Sequence, residues 1–273
     1  MVTASVVLFN NRPSDVAKVF SSFLKTEGVG TLFVIDHSLK DDLRKYCATL
    51  GMNYFHNPSN PGYGAGHNIA IKNAMDSGSK YHIVLNPDIY FDNDVIPEIL
   101  SLMEKNTDIG NVMPKVFYPD GSIQYLCKLL PTPYDWIGRR FNPFKRLVET
   151  RNQLFELRFS NYEKQMNVPY LSGCFMFLRL NALTKVGLFD ENIFMYGEET
   201  DLGRRLIQSG YRNVFFPKVS IYHEFQKGSH KSWRLTFIGM KSAIYYFNKW
   251  GWFFDKTRKE INRECLKELS YTT

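Results

Sequence analysis

The first hundred residues alternate between two hydrophobic periods, and this alternation restricts the folds that the chain can adopt. Short runs rich in β-branched and aromatic residues predict strands at Thr3–Phe9, Thr31–Asp36, Tyr54–His56 and Tyr81–Asn86. Apolar residues at helical spacing predict helices between and after them, at Ser14–Lys25, Lys40–Leu50, His67–Ser77 and Asp94–Lys105. Such alternation is typical of an α/β domain, in which helices cover both faces of a mainly parallel central sheet.

The alternation stops over residues 129–165 and then returns. This segment is rich in Pro, Arg and Phe, which indicates an insertion rather than a second domain. Beyond it, the pattern predicts strands and helices at Tyr170–Leu180, Asn181–Val186, Glu198–Ser209, Asn213–Phe216 and Val219–Tyr222. From Lys231 the chain is predicted to be helical. We therefore expect one α/β domain over 1–229, with the insertion inside it, and a C-terminal helical extension over 230–273.

Composition and charge limit the classes of partner. The chain has 273 residues, of which 44% are hydrophobic, and this content excludes a disordered protein. A formal net charge of +7 indicates an anionic partner, which can be nucleic acid, a phosphorylated ligand or a membrane surface. Because the aromatic and basic residues concentrate in the tail, and not on strands or on a groove-reading helix, we expect no nucleic-acid partner.

The sequence favours a cytoplasmic location. The four cysteines lie far apart, without the spacing of a zinc site, and nothing about them requires disulfides: Cys47, Cys127, Cys174 and Cys265. The N-terminus shows no basic segment or cleavage site typical of a signal peptide. No run reaches the roughly 18 apolar residues of a membrane span. Any membrane contact is therefore expected to be peripheral.

Small polar residues follow each of the first four predicted strands. They are Asn10-Asn11-Arg12, Asp36-His37-Ser38, Asn57-Pro58 and Asn86-Pro87-Asp88. Turn chemistry explains any one of these groups by itself. However, ligands of open α/β sheets bind beyond the carboxyl ends of the strands. Four such groups at one sheet edge therefore favour a binding site.

Two segments near this predicted sheet edge are candidates for binding phosphate or metal. Gly62, Gly64 and Gly66 open a predicted helix, where glycines let backbone amides approach a phosphate, although a flexible turn explains them equally well. Their spacing matches neither a P-loop nor GxGxxG. Asp88 follows a buried strand, a position suited to holding Mg²⁺ or Mn²⁺, and a helix-capping role is the alternative.

Acidic residues begin the helix predicted after Phe194–Gly197. Glu198, Glu199 and Asp201 complement the helix dipole, and Asp201 can pair with Arg205 four residues later. The functional alternative is that one glutamate removes a proton from an acceptor hydroxyl. His223 ends an apolar run, and it is a metal-ligand candidate only if the fold brings it close to Asp88.

Together these segments resemble the family 2 glycosyltransferases, which are inverting enzymes with the GT-A fold, and in particular their bacterial rhamnosyltransferase-like branch. Order and spacing match from Val2 to about Ser229. The matching segments are Val6–Asn10, Val34–Ser38, Asn60–Asn68, Leu85–Asp88, Leu171–Cys174, Gly187–Glu191, Phe194–Arg205 and Ile221–His223. No single segment is specific, but the ordered set is highly specific.

The resemblance implies a role for individual residues. Asp36 would bind the donor base, and Asp88 would be the remaining carboxylate of the family's DxD element, with Asn86 in place of the first. Asp88 and His223 would hold Mg²⁺ or Mn²⁺, which would assemble mainly with the donor diphosphate. The residues implied to bind the nucleotide sugar are Phe9, Asn10, Asp36, Ser38, Gly64, Gly66, Asn68, Asn86 and Asp88.

The resemblance also implies the reaction. Glu199 stands where the family has its aspartate base, with Glu198 as the alternative, and a single displacement would invert the anomeric centre. The implied donor is dTDP-β-L-rhamnose or a UDP-sugar. The implied acceptor is a glycan or a polyprenyl-diphosphate-linked sugar, as in O-antigen synthesis. Cationic and polar residues after His223 would close over the diphosphate: Lys227, Ser229, His230 and Lys231.

The segment Lys231–Lys267 mixes aromatic residues with Lys and Arg, which is typical of helices at a membrane interface. A helical cover for the domain or a dimer surface explains it equally well. The Arg139–Arg146 cluster can touch lipid headgroups or the acceptor diphosphate, or form a solvated loop.

Two further alternatives concern the whole chain. A sugar-nucleotide pyrophosphorylase would need a glycine-rich basic loop after the first strand, and Phe9–Ser14 contains one arginine and no glycine. An inactive sugar-nucleotide-binding module would not need the acids at Asp88, Glu198 and Glu199.

Overall fold

The computed structural model describes residues 1–224 and 233–271. Its strands are β1 (Val2–Leu8), β2 (Leu32–Asp36), β3 (Asn53–His56), β4 (Tyr81–Leu85), β5 (Ile89–Phe91), β6 (Ile109–Phe117), β7 (Cys127–Lys128), β8 (Met166–Asn167), β9 (Tyr170–Leu171), β10 (Phe175–Arg179) and β11 (Arg212–His223).

The helices are α1 (Pro13–Leu24), α2 (Arg44–Thr49), α3 (Tyr63–Asp76), α4 (Val95–Lys105), α5 (Arg139–Phe141), α6 (Lys145–Phe155), α7 (Leu180–Val186), α8 (Glu198–Gln208), α9 (Trp233–Trp250) and α10 (Lys256–Glu268). A π-helical turn at Tyr134–Gly138 leads into α5, and a 3₁₀ turn covers Arg158–Ser160. None of the helices in the described residues is long and apolar enough to cross a membrane.

Within the described residues, a central sheet has the order β3-β2-β1-β4-β10-β6-β11-β5, with β8 beside β11. Strands β3, β2, β1 and β4 pair in parallel because helices α1, α2 and α3 make the crossovers between them. Strand β10 is antiparallel to both of its neighbours, so the second half of the sheet is mixed. The predicted α/β architecture with a central sheet is confirmed.

The strands predicted in two regions differ from those in the structure. The run Tyr170–Leu180 divides into β9 and β10, which belong to different sheets. Conversely, the two short strands predicted around Pro217 form one long strand, β11, with a register shift between Phe216 and Ser220. The shift coincides with Pro217, which cannot donate a ladder hydrogen bond.

The C-terminal helices pack on the α/β domain through a buried ion pair. Arg204 of α8 donates two hydrogen bonds, of 2.6 and 2.8 Å, to Asp255 at the start of α10. Both side chains are at most 3% exposed. Because a buried charge without its partner is strongly destabilising, this pair ties α10 to α8. Of the alternatives for the tail, packing on the domain is therefore present in the structure.

The insertion also contacts both the tail and α8. Trp136 packs against Tyr246 and Phe247 of α9, with ring centroids 5.2 and 5.8 Å apart. On its other side, a Cβ atom placed on Gly197 would lie only 2.5 Å from the Trp136 ring. Gly197 also has φ +117°, which favours glycine. A glycine is therefore required where the insertion meets the start of α8.

The four cysteines are buried and free. Asp201 accepts a 2.8 Å hydrogen bond from Arg205, as the four-residue spacing predicts. It also accepts bonds from Trp250 and Lys249 of α9, both at 2.8 Å. Asp201 therefore has a structural role at the junction of α8 and α9.

Candidate active site

A cavity of about 660 Å³ opens beyond the carboxyl ends of β1 and β4. Its walls bring together residues that are far apart in the sequence. The polar side chains of the wall include Tyr63, Asn86, Asp88, Gln124, Tyr170, Glu198, Glu199 and His223. The crevice position that the strand order predicts is therefore where the structure has its large cavity.

Strand pairing brings Asp88 next to His223. Strand β5 runs antiparallel to β11 with Ile89 opposite His223, and the backbone of Asp88 accepts a 2.8 Å hydrogen bond from Glu224. His223 Nε2 consequently lies 3.2 Å from Asp88 Oδ1. These two residues are 135 positions apart in the sequence. The fold brings them close together, which is the condition under which His223 is a metal-ligand candidate.

Gln124 determines which nitrogen of His223 carries the proton. Its amide nitrogen donates a 2.8 Å hydrogen bond to the backbone carbonyl of His223, so its amide oxygen faces His223 Nδ1, 3.0 Å away. Nδ1 must then carry a proton, so that the neutral imidazole presents the lone pair of Nε2 towards Asp88. Metal-binding histidines are oriented by such contacts of their other nitrogen.

The Asp88–His223 pair fits a divalent cation. Asp88 Oδ1 is buried and accepts no hydrogen bond from the described residues. It and Nε2 are two electron-rich atoms 3.2 Å apart, close to the roughly 3 Å between neighbouring ligands of one octahedral ion. Among residues 1–224 and 233–271, no cluster of three or more His, Cys, Asp or Glu can hold a metal. These residues thus offer two neighbouring ligand atoms, and metal binding by them stays a prediction.

Asn86 lies beside this pair and is oriented by Tyr63. The Tyr63 hydroxyl donates to Asn86 Oδ1 at 2.8 Å and lies 3.0 Å from the carbonyl of Gly173. The Asn86 amide nitrogen consequently faces His223 Nε2, 3.4 Å away. Burial, together with nearby carboxylates, raises the pKa of Tyr63 well above its ordinary value. The hydroxyl thus stays protonated and keeps donating.

Glu199, the predicted base, is held at the cavity wall by two hydrogen bonds. Its Oε1 accepts a 3.0 Å hydrogen bond from the Tyr170 hydroxyl, and its Oε2 accepts a 3.1 Å bond from the backbone of Gly197. Burial raises the pKa of Tyr170 well above its ordinary value, so this hydroxyl remains a donor. Both carboxylate oxygens are therefore held, and the side chain is only partly buried.

Glu198 has a different environment, although it also lines the cavity. It is buried, and its Oε2 has no hydrogen-bond partner among the described residues. Burial and the adjacent Glu199 raise the pKa of Glu198 well above its ordinary value. Glu198 therefore holds its proton to a higher pH than an ordinary glutamate does, whereas a base must be ionised.

The predicted base-binding residues form a connected group at the end of β2. Asp36 is buried, and it accepts hydrogen bonds from the Ser38 backbone at 2.9 Å and from the Tyr54 hydroxyl at 2.7 Å. Ser38 Oγ accepts a 2.8 Å bond from the backbone of Asn10, which has φ +57°. Phe9 is exposed and lines the cavity. Nucleotide contact by these residues stays a prediction.

The glycine cluster is used for close packing. A Cβ atom on Gly62 would lie 2.3 Å from the carbonyl of Phe194, and one on Gly66 would lie 2.7 Å from His37. Gly64 similarly faces Phe189 at 2.9 Å. Gly62 lines the cavity, whereas Gly64 and Gly66 are not part of its wall. Their predicted role in the nucleotide pocket would therefore be indirect.

Asn68 holds the segment after α7. Its amide nitrogen donates to the carbonyl of Phe189 and to Glu191, both at 2.9 Å, and its oxygen accepts from the Phe189 backbone at 3.0 Å. The side chain is thus committed away from the cavity, so direct contact with a nucleotide would require these bonds to break. Its predicted nucleotide role remains untested.

Several site residues carry no recognisable sequence signal. Gln124, Lys128 and Tyr170 lie in segments without a motif for their role, and the pairing of β7 with β9 brings Lys128 and Tyr170 together at the cavity. Tyr63 lies in the glycine segment, at the start of α3, but its polar role there has no sequence signal. The residues predicted to close over the diphosphate, Lys227, Ser229, His230 and Lys231, lie outside the described residues.

Solved structures with a similar fold are glycosyltransferases. GalNAc-T7 with UDP, GalNAc and Mn²⁺ has a TM-score of 0.64 at 14% identity, over 99% of this chain and 57% of that chain. The mannosyltransferase PcManGT from Pyrobaculum calidifontis, in complex with GDP-Man and Mn²⁺, has a TM-score of 0.58 at 14% identity, over 100% and 75% of the two chains. These similarities confirm the GT-A fold.

Two curated relatives also match. The Low-salt glycan biosynthesis hexosyltransferase Agl10 of Haloferax volcanii is 23% identical over 72% of this chain and 59% of its own length. The N-acetylglucosaminyl-diphospho-decaprenol L-rhamnosyltransferase of Mycobacterium tuberculosis is 29% identical over 60% of this chain and 56% of its own length. The chain thus spans somewhat more than half the length of these relatives.

The sequence pattern of one family, described as Glycosyl transferase family 2, matches residues 5–187. The match covers more than half of the chain and includes β2, which ends at Asp36, and the turn between β4 and β5, which contains Asp88. With the fold and the paired cavity residues in agreement, the chain belongs to glycosyltransferase family 2.

Proposed function

We propose that this protein is a metal-dependent, inverting glycosyltransferase that uses a nucleotide sugar as donor. The observation that carries the proposal is that Asp88 and His223, which fit a cation, line the same cavity as the ionisable Glu199. A metal-and-diphosphate site and a base, in one crevice, are the two components that such a reaction needs. An inactive binding module would not need Glu199 held by two donors.

Glu199 acts as the base. It takes the proton of an acceptor hydroxyl, and the hydroxyl oxygen forms a bond to C1 of the donor sugar. The bond between C1 and the phosphate oxygen breaks, and its electron pair leaves with the nucleoside diphosphate. Because a single displacement occurs from the face opposite the leaving group, the anomeric configuration is inverted. Tyr170 and Gly197 orient the carboxylate throughout.

Asp88 and His223 would hold the metal, Mg²⁺ or Mn²⁺. The ion, when bound, supplies positive charge that stabilises the departing diphosphate. Gln124 keeps the proton of His223 on Nδ1, so that Nε2 is available as a ligand. Tyr63 and Asn86 hold this end of the cavity in place.

The proposed donor is dTDP-β-L-rhamnose, and the transferred residue would then have the α configuration. The match to an L-rhamnosyltransferase supports this choice. A UDP-sugar is the alternative donor for the same site. The proposed acceptor is a glycan or a polyprenyl-diphosphate-linked sugar in bacterial surface polysaccharide synthesis, and a decaprenyl-linked sugar diphosphate appears in the name of that relative.

The test is a panel of dTDP, UDP, GDP and their sugar conjugates, titrated into the protein by calorimetry with and without Mn²⁺. We expect dTDP or dTDP-rhamnose to bind selectively, and Mn²⁺ to tighten binding by about tenfold or more, since the ion bridges protein and diphosphate. Selectivity for UDP would change the proposed donor to a UDP-sugar and leave the proposed enzyme class unchanged. Absence of binding to every nucleotide would refute the transferase proposal.

A membrane-facing surface is proposed on the cytoplasmic side of the inner membrane. Exposed aromatic residues of the insertion and the tail, here called the aromatic surface, are Phe141, Phe144, Trp233, Phe237, Phe253 and Phe254. Phe254 is 95% exposed, although the tail packs on the domain through other residues. Basic side chains accompany the aromatic ones, a combination that favours anionic lipid surfaces.

Sedimentation with phosphatidylglycerol vesicles tests this surface. The double variant Phe253→Ser/Phe254→Ser should lower the bound fraction by about tenfold, because even one buried aromatic side chain contributes roughly 1.5 kcal/mol or more. Leu39→Ser, which removes an exposed apolar side chain elsewhere, should bind like the wild type. Equal binding of all three proteins would exclude these residues from membrane contact.

A further inference from the structure

A second cavity, of about 230 Å³, lies beside the first between the insertion, β9 and α9. The two cavities share part of their walls, including Lys128, Tyr170 and Glu199. Glu199 is thus accessible from both sides. The first cavity contains the Asp88–His223 pair, whereas the wall of the second includes neither residue, so the second reaches the proposed base separately from that pair.

Lys128 is a basic residue in the wall that the two cavities share. In the two-stranded sheet, Lys128 lies directly opposite Tyr170, and its Nζ is 5.2 Å from the centre of the Tyr170 ring. The ring's hydroxyl in turn binds Glu199. Within residues 1–224 and 233–271, the Lys128 ammonium has neither a hydrogen-bond acceptor nor a carboxylate in bonding distance. Burial lowers the pKa of Lys128, and a bound anion would raise it again.

The other charged groups in the wall of the second cavity already have hydrogen-bond partners. Asp135 accepts bonds of 2.6 and 2.8 Å from Arg151, so its charge is neutralised. Arg139 contacts Asn152 at 2.6 Å and Glu156 at 3.4 Å. Arg140 donates a 2.7 Å bond to Thr236. Lys128 is therefore the cation of this cavity that is best placed to bind an incoming group.

The rest of the wall is largely apolar. Pro131, Trp136, Ile137, Phe155 and Met240 contribute most of it, and exposed Phe141 lies at the edge, where the cavity meets the aromatic surface. A neutral acceptor would leave a partly desolvated ammonium without a counter-ion, which costs free energy. A ligand that carries both a negative charge and an apolar group would match the Lys128 ammonium and the apolar side chains of the wall.

We propose that the second cavity is the acceptor site and that Lys128 binds a phosphate group of the acceptor, next to the hydroxyl that Glu199 deprotonates. This inference rests on the proposed function, because it takes Glu199 as the base. It identifies the acceptor class as a phosphate ester, whose source is a lipid-linked phosphate or a soluble one. The apolar wall provides the contact surface for the lipid-linked form.

The test measures binding, with the first cavity filled by saturating Mn²⁺ and the nucleoside diphosphate that the donor panel selects. Farnesyl diphosphate, farnesol and inorganic diphosphate are titrated into the wild type, Lys128→Met, Lys128→Arg and the exposed control Lys105→Met. Lys128→Met should weaken farnesyl diphosphate binding at least about tenfold, the size expected for a charge-assisted hydrogen bond. Lys128→Arg should retain most of the affinity, and Lys105→Met all of it.

The outcomes separate this inference from the proposed function. Farnesol binding as tightly as farnesyl diphosphate would overturn the phosphate site. So would a Lys128→Met variant that loses nucleotide affinity but not farnesyl diphosphate affinity, since Lys128 would then serve the leaving group. Inorganic diphosphate binding as tightly as the farnesyl compound supports a soluble phosphate, and weaker binding supports a lipid-linked one. Failure of every nucleotide to bind would instead refute the proposed function.

Discussion

Asp88→Ala is expected to abolish sugar transfer, lowering kcat/KM by about 10³-fold or more. The variant removes one of two protein ligands for the metal, and an ion that stabilises the leaving diphosphate contributes several kcal/mol, with roughly 1.4 kcal/mol for each factor of ten. His223 alone would not retain the ion. Transfer kinetics and Mn²⁺ binding, the latter followed by electron paramagnetic resonance with the donor present, measure the two effects separately.

The fold of this variant should survive. Asp88 Oδ1 accepts no hydrogen bond from the described residues, so its removal should change the free energy of unfolding by less than about 1 kcal/mol. Asp92→Ala removes an exposed carboxylate four residues away and serves as the charge-matched control. An Asp88→Ala protein that binds Mn²⁺ and transfers sugar like the control would remove Asp88 from the metal site.

Glu199→Gln should lose transfer by roughly 10²- to 10⁴-fold in kcat, the range typical of a removed general base. Glutamine keeps the size of the side chain and can still accept a bond from Tyr170, so the affinity for the donor nucleotide should change little. Steady-state kinetics with varied acceptor, together with calorimetry of the nucleotide, provide the measurements. Unchanged kcat would show that another group accepts the proton.

Glu198→Gln is the matched variant one residue away. Because burial and Glu199 raise the pKa of Glu198, its side chain keeps its proton to a higher pH than an ordinary glutamate, and glutamine is a close neutral substitute for the protonated form. We expect this variant to retain transfer. If Glu198→Gln alone abolishes transfer, the base is Glu198 and the assignment of Glu199 is wrong by one position.

The same pair predicts a pH dependence of stability. Folded Glu198 keeps its proton above the ordinary pKa of 4.5, where the unfolded chain loses it. The folded state thus binds more protons, and the free energy of unfolding falls as pH rises above that value. In Glu198→Gln, this decrease in the free energy of unfolding should be absent. Denaturant titrations at several pH values would then show that the variant gains stability relative to the wild type as pH rises.

The sequence by itself determined the elements of the parallel half of the sheet. Their bounds follow from local hydrophobic periods, so the four predicted strands β1–β4 agree with the structure to within one residue at each end. It also identified Asp88, Glu199 and His223 as candidates, because the types and order of these residues match a family pattern. Local patterns could not predict that β9 and β10 belong to different sheets, since both have the same short-range character.

Only the tertiary structure decided which candidates meet. The antiparallel pairing of β5 with β11 places Asp88 beside His223, and Gln124, without any motif, sets the proton of that histidine. Pairing of β7 with β9 brings Lys128 to Glu199 through Tyr170. The tail packs on the domain through Arg204 and Asp255, which are 51 positions apart. These contacts depend on burial and on register between distant segments, which no local pattern of residues encodes.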